Sequence, residues 1–271
     1  MYSHPIMNKR SNLAASIRLS LLLLTVLTVS ILSDADRRTR TACLIASEGM
    51  LSLVQQSLVS QQAAPSASIE DMQTSNTGDK LLPAKEEPPR IALTFDDGPN
   101  ARYTPLLLEG LRKRGIPATF FLIGENIEGN EKLLQQMNED GHLIGNHTWD
   151  HVQLDKVPAQ QARLEIEKTN NRIYEVTGVY PSYVRPPFGA WIKDMDLSVS
   201  MLPVFWDVDT LDWKSQNIDA ILSIAKEQVQ DGSIILMHDG YQTSVDAALK
   251  IADLFTQKGY CFVTADQLLV S

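Results

Sequence analysis

Two short segments of the sequence place ionisable side chains where they could bind a metal ion. Asp96 and Asp97 follow the apolar run Ile91–Phe95, and neighbouring carboxylates repel each other, so the pair needs a cation or a proton nearby. His147 and His151 are four residues apart, a spacing that puts two imidazoles on one side of a helical turn, where they can hold one cation. Two histidines and one aspartate would supply three protein ligands, as in catalytic metal sites that keep one position open.

Each segment also has an interpretation without a metal. The Asp-Gly-Pro-Asn sequence at residues 97–100 is a favourable turn, and it could simply form an Asx turn or an N-cap before Tyr103. Pairs of histidines four apart also arise by chance. The residue after His147 is Thr148, which excludes the His-Glu-x-x-His motif of zinc proteases.

Three further clusters of polar residues follow apolar runs later in the chain. They are Arg185–Gly189, Trp206–Trp213 and Leu236–Asp239. In parallel α/β folds, the carboxyl ends of the strands form the edge at which active sites are built. Five such clusters in chain order, each with an ionisable group, therefore predict a single active site at that edge.

Apolar runs alternate with helix-period segments from residue 91 onward, which predicts an α/β fold with a parallel sheet, open or closed into a barrel. The predicted strands are Ile91–Phe95, Ala118–Ile123, Leu143–Gly145, Tyr183–Arg185, Pro203–Trp206, Ser233–Met237 and Cys261–Val263. The predicted helices are Tyr103–Arg114, Glu131–Glu139, Pro158–Val176, Ile218–Gln230 and Val245–Lys258. The strands show little polar alternation, as expected for a sheet buried on both faces.

The charge is distributed unevenly along the chain. All of the net charge of −9 lies in residues 88–271, which hold 16 basic and 25 acidic residues. Such an acidic domain is a poor partner for nucleic-acid phosphates. The two cysteines are too few for a cysteine-based zinc site, so any metal must be held by His, Asp or Glu.

The N-terminal third has the composition of a targeting segment followed by a linker. Basic residues precede the 14-residue apolar run Leu19–Leu32, which is typical of a secretory signal peptide or an uncleaved signal-anchor; both alternatives stay open for residues 1–35. Residues 36–87 are predicted to be a linker, since much of this segment is rich in Ala, Ser, Gln, Pro and Glu. Residues 88–271 are then the folded domain.

The five clusters together resemble the motifs of the NodB-type polysaccharide deacetylases, also called carbohydrate esterase family 4. The matching segments are Thr94–Pro99, His147–His151, Arg185–Gly189, Asp209–Trp213 and Leu236–His238. The resemblance extends from about Arg90 to Leu269, and it implies a deformed, incomplete (β/α) barrel of about seven strands. It departs from the family pattern at Phe188, where tyrosine is commoner, and in the short segment 190–202.

The resemblance also implies a role for individual residues. Asp97, His147 and His151 match the ligands of one divalent metal ion, and Asp96 matches the general base that takes a proton from water. Arg185 pairs with this base, His238 matches the general acid, and Asp209 matches the carboxylate partner of that acid. The backbone N–H of Phe188 matches the oxyanion donor, while Trp213 and Leu236 match walls of the pocket for the acetyl methyl group.

The function implied is metal-dependent removal of N-acetyl groups from a cell-surface polysaccharide. Peptidoglycan N-acetylglucosamine is the first expectation, with chitin-type oligomers and acetylated xylan after it. We expect Zn²⁺, although Co²⁺, Ni²⁺ or Mn²⁺ also suits a His₂Asp site. A non-carbohydrate amidohydrolase on the same fold and an inactive wall-binding module are the alternatives. We expect a monomer that acts outside the cytoplasm, secreted or held in the membrane by its N-terminal segment.

Overall fold

Parallel strand pairing dominates the computed structural model, which describes residues 87–193 and 200–269. The strands are β1 (Arg90–Asp96), β2 (Thr119–Leu122), β3 (Leu143–Asn146), β4 (Tyr183–Val184), β5 (Leu202–Pro203), β6 (Val208–Asp209), β7 (Ile234–His238) and β8 (Cys261–Phe262). Seven of them form the continuous order β5-β4-β3-β2-β1-β7-β6, and β8 pairs with the start of β1. In the described residues no pairing joins β5 to β6, so the barrel is incomplete, as the family resemblance implies.

Helices connect most of these strands and cover the sheet. They are α1 (Thr104–Arg114), α2 (Glu131–Glu139), α3 (Ala159–Thr177), α4 (Asp212–Ser215), α5 (Ile218–Gln228), α6 (Gln242–Gln257) and α7 (Asp266–Leu269). Short 3₁₀ helices occupy Glu125–Ile127, Leu154–Lys156 and Pro187–Gly189. Glycine residues in the left-handed conformation end α1 at Gly115 and α3 at Gly178, as is common at helix C-termini.

Two of the strands depart from the sequence prediction. The predicted strand at residues 203–206 is shifted, because β5 contains only Leu202 and Pro203. Strand β6, at Val208 and Asp209, was not predicted at all. Strand β6 is held in place by its pairing with Ile235 and Leu236 of β7, a contact between distant parts of the chain.

The alternation of side chains along β1 separates the core from the site. Ile91, Leu93 and Phe95 pack with the helices in the main hydrophobic core. Ala92 belongs to a separate cluster on the other face of the strand, and the odd–even alternation of a strand puts Thr94 and Asp96 on that same inner face. On β7, Leu236 and His238 alternate in the same way with the core residues Ile235 and Met237. The inner face therefore carries the polar side chains.

The predicted signal peptide or signal-anchor, residues 1–35, lies outside the described residues. Of the predicted linker at 36–87, only residue 87 is described. Both assignments stay predictions. Within residues 87–193 and 200–269, the helices are too short or too polar to cross a bilayer.

Candidate active site

Arg185 and Asp96 form a buried ion pair on the inner face of the barrel. Nη1 of the completely buried Arg185 donates to Asp96 Oδ1 at 2.9 Å and to Thr94 Oγ1 at 2.6 Å. Nε and Nη2 donate to the carbonyl oxygens of Val204 and Phe205, at 3.1 and 3.0 Å. Since a guanidinium group does not lose its proton in proteins, Asp96 has a permanent positive charge beside it.

Asp97, His147 and His151 meet at the carboxyl ends of β1 and β3. Asp97 Oδ1 lies 3.4 Å from Nε2 of His147 and 3.4 Å from Nε2 of His151. The ligand atoms of these three residues all lie within 4.8 Å of one another. The sequence therefore identified a group that the fold brings together, and its composition is that of an open catalytic metal site.

The residues around this cluster orient its ligand atoms and favour the binding of a cation. His147 Nδ1 donates a hydrogen bond to the carbonyl oxygen of Arg185 at 2.6 Å, which leaves the lone pair of Nε2 directed at Asp97. Burial opposes ionisation of Asp97, but contact with His147 and the charges of His238 and His151 lower the pKa of this carboxyl. Among the described residues, the buried Asp97 Oδ1 has no hydrogen-bond partner. These residues fit a divalent metal ion.

Left-handed backbone conformations concentrate at this end of the barrel. Asp97, Thr148, His151, Phe188 and Leu211 have φ between 51° and 72°. Each such residue other than glycine costs of order 1–3 kcal/mol and persists only where its surroundings hold it. The strain coincides with the residues that turn the chain inward at the strand ends.

His238 and Asp212 form a second carboxylate pair across the site. His238 Nδ1 donates to Asp212 Oδ1 at 2.9 Å, and the backbone N–H of His238 donates to Oδ2 at 2.9 Å. Burial alone would lower the pKa of His238, but the hydrogen bond and charge of Asp212, with the charges of Asp96 and Asp97, raise it to about 9. Asp212 is completely buried. Asp212 therefore favours the charged form of this imidazole.

The assignment of Asp209 as the partner of His238 is corrected by this geometry. The carboxylate of Asp209 instead accepts a hydrogen bond from the backbone N–H of Leu211, at 2.9 Å. Leu211 is left-handed, with φ of 51°, and α4 begins directly after it. That turn places Asp212, and not Asp209, against the end of β7.

The residues predicted to contact the acetyl group lie at different depths. Phe188 is 68% exposed, and its ring lies 4.9 Å from that of His151 in an edge-on arrangement. Trp213 is half-exposed at the start of α4, next to Asp212. Leu236 is buried on the inner face, two residues before His238.

A cavity of about 440 Å³ opens beside Asp97 and His238. Its other lining residues come from the turns after β1, β2 and β7. Four have neutral polar side chains, Asn100, Asn126, Asn130 and Tyr241, and the remaining three are Pro99, Ala101 and Gly240. Asn126 Nδ2 also donates to the carbonyl oxygen of Asp97, at 2.8 Å. Asn126, Asn130 and Tyr241 belong to none of the five sequence clusters, although each follows the end of a strand.

Asp239 is buried behind the site. Burial raises its pKa to about 7, although Thr104 donates a hydrogen bond to its Oδ2. A Cβ at Gly98 would lie 2.7 Å from the same oxygen, so this position needs glycine. The glycine of the Asp-Gly-Pro turn therefore has a packing role that its local sequence does not reveal.

Comparisons with known proteins agree with this arrangement. A family model described as polysaccharide deacetylase matches residues 84–204. A chitooligosaccharide deacetylase of Sinorhizobium fredii is 35% identical over 156 residues, which cover 56% of this chain and 73% of that protein. The chain belongs to the polysaccharide deacetylase family.

Other polysaccharide deacetylases match more of the chain. The peptidoglycan-N-acetylglucosamine deacetylase PgdA of Listeria monocytogenes is 37% identical over 187 residues, which are 69% of this chain and 40% of PgdA. The chain thus spans about two fifths of that relative. The structure of the peptidoglycan deacetylase PdaC from Bacillus subtilis is 38% identical with a TM-score of 0.65, over 67% of this chain and 90% of that one.

The polysaccharide deacetylase match at residues 84–204 contains only part of the site. It includes the metal cluster and the ion pair of Asp96 with Arg185, which lie on β1, β3 and β4 or directly after them. His238 and Asp212 lie beyond it, on β7 and α4. The fold is what brings this second pair to the same edge.

Proposed function

We propose that this chain is a metal-dependent deacetylase of a cell-wall polysaccharide, with N-acetylglucosamine of peptidoglycan as its preferred substrate. One observation carries the proposal. The residues Asp97, His147 and His151, which fit a metal ion, share one end of the barrel with two ion pairs. One pair joins Asp96 to Arg185, which keeps its proton, and the other joins Asp212 to His238, which can release one. PgdA and PdaC, which are named for action on peptidoglycan, support the choice of polymer.

Asp96 is the proposed general base. Its contact with Arg185 fixes the orientation of its carboxylate, and we propose that it accepts the proton of the water that attacks the acetyl carbonyl carbon. Arg185 is held by Thr94 and by two carbonyl oxygens. Its guanidinium group therefore stays in place when Asp96 accepts a proton. The backbone N–H of Phe188 is the proposed donor to the carbonyl oxygen as negative charge develops there.

His238 is the proposed general acid. The amine of the sugar is a poor leaving group until it is protonated, and the imidazolium that Asp212 stabilises supplies that proton as the C–N bond breaks. The products are acetate and a sugar with a free amine. Trp213 and Leu236 are proposed to enclose the acetyl methyl group.

Asp97, His147 and His151 would hold the cation, for which we propose Zn²⁺. When bound there, a divalent ion supplies Lewis acidity, which polarises a carbonyl oxygen and makes water a stronger acid. Imidazole nitrogen and carboxylate oxygen are common zinc ligands, and cobalt, nickel and manganese accept the same set.

The cavity beside His238 is the proposed binding site of the sugar. Its volume of about 440 Å³ falls within the range of small-molecule sites. Neutral amide and hydroxyl groups, such as those of Asn126, Asn130 and Tyr241, match the donors and acceptors on sugar hydroxyls. Because His238 must reach the leaving nitrogen, the ring that carries this nitrogen should lie on that side of the metal site.

The proposed location is outside the cytoplasm. It rests on the apolar run Leu19–Leu32 with its basic leader and on the wall substrates named for the relatives. A cleaved signal peptide would release the enzyme, and an uncleaved one would leave it anchored in the membrane facing the wall. A monomer remains our prediction.

Acetate release from purified peptidoglycan tests the proposal. We expect the protein to release acetate, to lose this activity in a chelator, and to regain it with Zn²⁺. Asp97→Ala, His147→Ala and His151→Ala should each lose bound metal and activity together, because each removes one of three ligands. Elemental analysis measures the metal.

Mass spectrometry of muropeptides then identifies the sugar. We expect the acetyl group to be missing from glucosamine, with the lactyl-bearing sugar intact. Stoichiometric metal in all three variants would contradict the ligand assignment. Metal binding without acetate release from any wall polymer would favour a non-carbohydrate amidohydrolase or a wall-binding module.

A further inference from the structure

The two histidines of the metal cluster are held in different ways. His147 is fixed directly, because its Nδ1 donates to the carbonyl oxygen of Arg185 and its backbone N–H donates to Leu122 O at 2.9 Å. His151 is about one-third exposed. Within the described residues, its side chain has the ion-pair contact with Asp97 and the edge-on contact with Phe188, but no hydrogen bond on Nδ1. The position of His151 therefore depends on the backbone that precedes it.

The backbone N–H groups of that segment bind a single side chain of helix α3. The N–H groups of Trp149 and Asp150 both donate to Oε2 of Glu165, at 2.9 and 3.1 Å. Glu165 is buried on α3, a helix that contributes no ligand to the cluster. Two consecutive N–H groups bound to a single oxygen fix the direction of both peptide planes just before His151.

The same loop needs this support for a conformational reason. Thr148 and His151 are both left-handed, with φ of 67° and 63°, which is unfavourable for side chains other than glycine, especially a β-branched one. The carbonyl oxygens of Thr148 and Trp149 accept from the N–H groups of Gly124 and Glu125, at 2.9 and 3.0 Å. Contacts on opposite sides of the loop thus hold it between the β2 turn and α3.

We infer that Glu165 is a positioning residue for the metal site, acting through the Trp149–Asp150 backbone to place the imidazole of His151. The inference rests on the metal site of the proposed function. We attribute the placement of His151 to the length of the Glu165 side chain and not to its charge. The loop requires an acceptor oxygen at its two N–H groups, and a side chain of this length places one there.

Three substitutions of Glu165 separate reach from charge. Glu165→Gln keeps the length and one acceptor oxygen, and its amide can donate to the carboxyl of Asp150, which lies beside Glu165. Glu165→Asp keeps the charge but withdraws the oxygen by one methylene. Glu165→Ala removes both. Glu175→Ala, on the same helix but exposed and paired with Arg172, is the matched control.

Metal affinity measured without substrate tests the inference. Zn²⁺ and Co²⁺ are titrated into the metal-free full chain in competition with a chromophoric chelator, and the Co²⁺ absorption spectrum reports the ligand geometry. We expect Glu165→Gln and Glu175→Ala to bind as tightly as wild type. Glu165→Asp and Glu165→Ala should bind about 10–100-fold more weakly, the loss typical of residues that orient metal ligands, with an altered Co²⁺ spectrum.

Each result decides between distinct conclusions. Wild-type affinity in Glu165→Asp would overturn the role of reach, and weak binding by Glu165→Gln alone would assign the effect to charge. If Glu165→Ala does not fold, as judged by circular dichroism of the metal-free chain, the Gln and Asp variants still decide. Absence of metal binding by the wild-type chain would instead overturn the proposed site itself.

Discussion

The active site contains two buried carboxylate–cation pairs, and they differ in the one property that matters for proton transfer. Asp96 is paired with Arg185, which cannot release its proton, while Asp212 is paired with His238, which can. Asp96 and His238 both lie on the inner face of the barrel, and both carboxylates have side chains no more than 5% exposed. Under the proposed mechanism the partner of each carboxylate determines its role: Asp96 would act as the base, whereas Asp212 would support the acid His238.

The two pairs are also anchored to different degrees. Arg185 is tied to four groups besides its contact with aromatic rings, so its removal leaves a buried charge and several unpaired acceptors. His238 is tied to Asp212 and is 14% exposed, so it retains access to the substrate. We expect substitutions on the Arg185 side to affect both stability and activity, and substitutions on the His238 side to affect mainly activity.

Loss of Arg185 should have the largest effect. Arg185→Met leaves Asp96 buried without its partner, and we expect the free energy of unfolding to fall by about 3–5 kcal/mol, together with loss of turnover. Urea denaturation measures the first and acetate release the second. Arg172→Met is the control, since Arg172 pairs with Glu131 and Glu175 nearer the surface, where about 0–1 kcal/mol is expected.

Adding Asp96→Asn to Arg185→Met sharpens this test. The amide removes the uncompensated charge, so the double variant should recover part of the lost stability while remaining inactive. A double variant less stable than Arg185→Met would show that charge burial is not the source of the loss.

Substitution of the base alone should come next in size. Asp96→Asn keeps the shape of the side chain and its contact with Arg185 but removes its basicity, so we expect a rate loss of roughly 10²–10⁴ with bound metal retained. Asp97→Asn should lose metal and activity together. Steady-state acetate release and elemental analysis distinguish the two neighbours, and metal loss in Asp96→Asn would reverse their roles.

Substitution on the acid side should have a smaller effect and should shift the pH dependence. Asp212→Asn removes the largest of the three carboxylate charges that together raise the pKa of His238 to about 9. His238 must be protonated to act, so the high-pH limit of activity should move to lower pH, with a rate loss of about 10²-fold at neutral pH. The pH profile of kcat/KM measures both.

Asp209→Asn provides the matched comparison for Asp212→Asn. The carboxylate of Asp209 accepts from Leu211 and does not touch His238, so we expect an unchanged pH profile and nearly wild-type turnover. A shifted profile in Asp209→Asn, with an unshifted one in Asp212→Asn, would restore the assignment made from the sequence.

The titration of His238 should also make the stability of the metal-free protein depend on pH. In the metal-free protein the pKa of His238 is about 9, above the ordinary value near 6.5 of the unfolded chain. Its contribution is complete below about pH 6.5 and is lost as the pH rises through 9, by about 3 kcal/mol over the whole interval. Asp239, with a pKa of about 7, titrates mainly below pH 8, so the slope between pH 8 and 9 reports chiefly on His238.

Urea denaturation of the chelated protein at several pH values gives this slope. Asp212→Asn should flatten it, because the histidine then titrates closer to its ordinary range. Bound metal should flatten it as well, since a cation near His238 opposes protonation. A slope unchanged by Asp212→Asn would show that another group is responsible.

Local sequence was sufficient for several features of this molecule. The apolar runs predicted β1, β2, β3 and β7 to within a residue or two, since each is long enough to show its own pattern. The pair Asp96–Asp97 and the pair His147–His151 were also recognisable, because their members are close together in the chain. Their chemistry is legible in residue type and spacing, and the fold brings Asp97, His147 and His151 within 4.8 Å.

Features that depend on distant parts of the chain could not be predicted in this way. The motif resemblance indicates Asp209 as the partner of His238, but the left-handed turn at Leu211 brings Asp212 to it instead. Glu165 has no local sign of a link to the His147–His151 loop, which it meets only because α3 packs under β3. Spacing along the chain determines which groups can share one turn, whereas packing of separate elements determines which carboxylate reaches which partner.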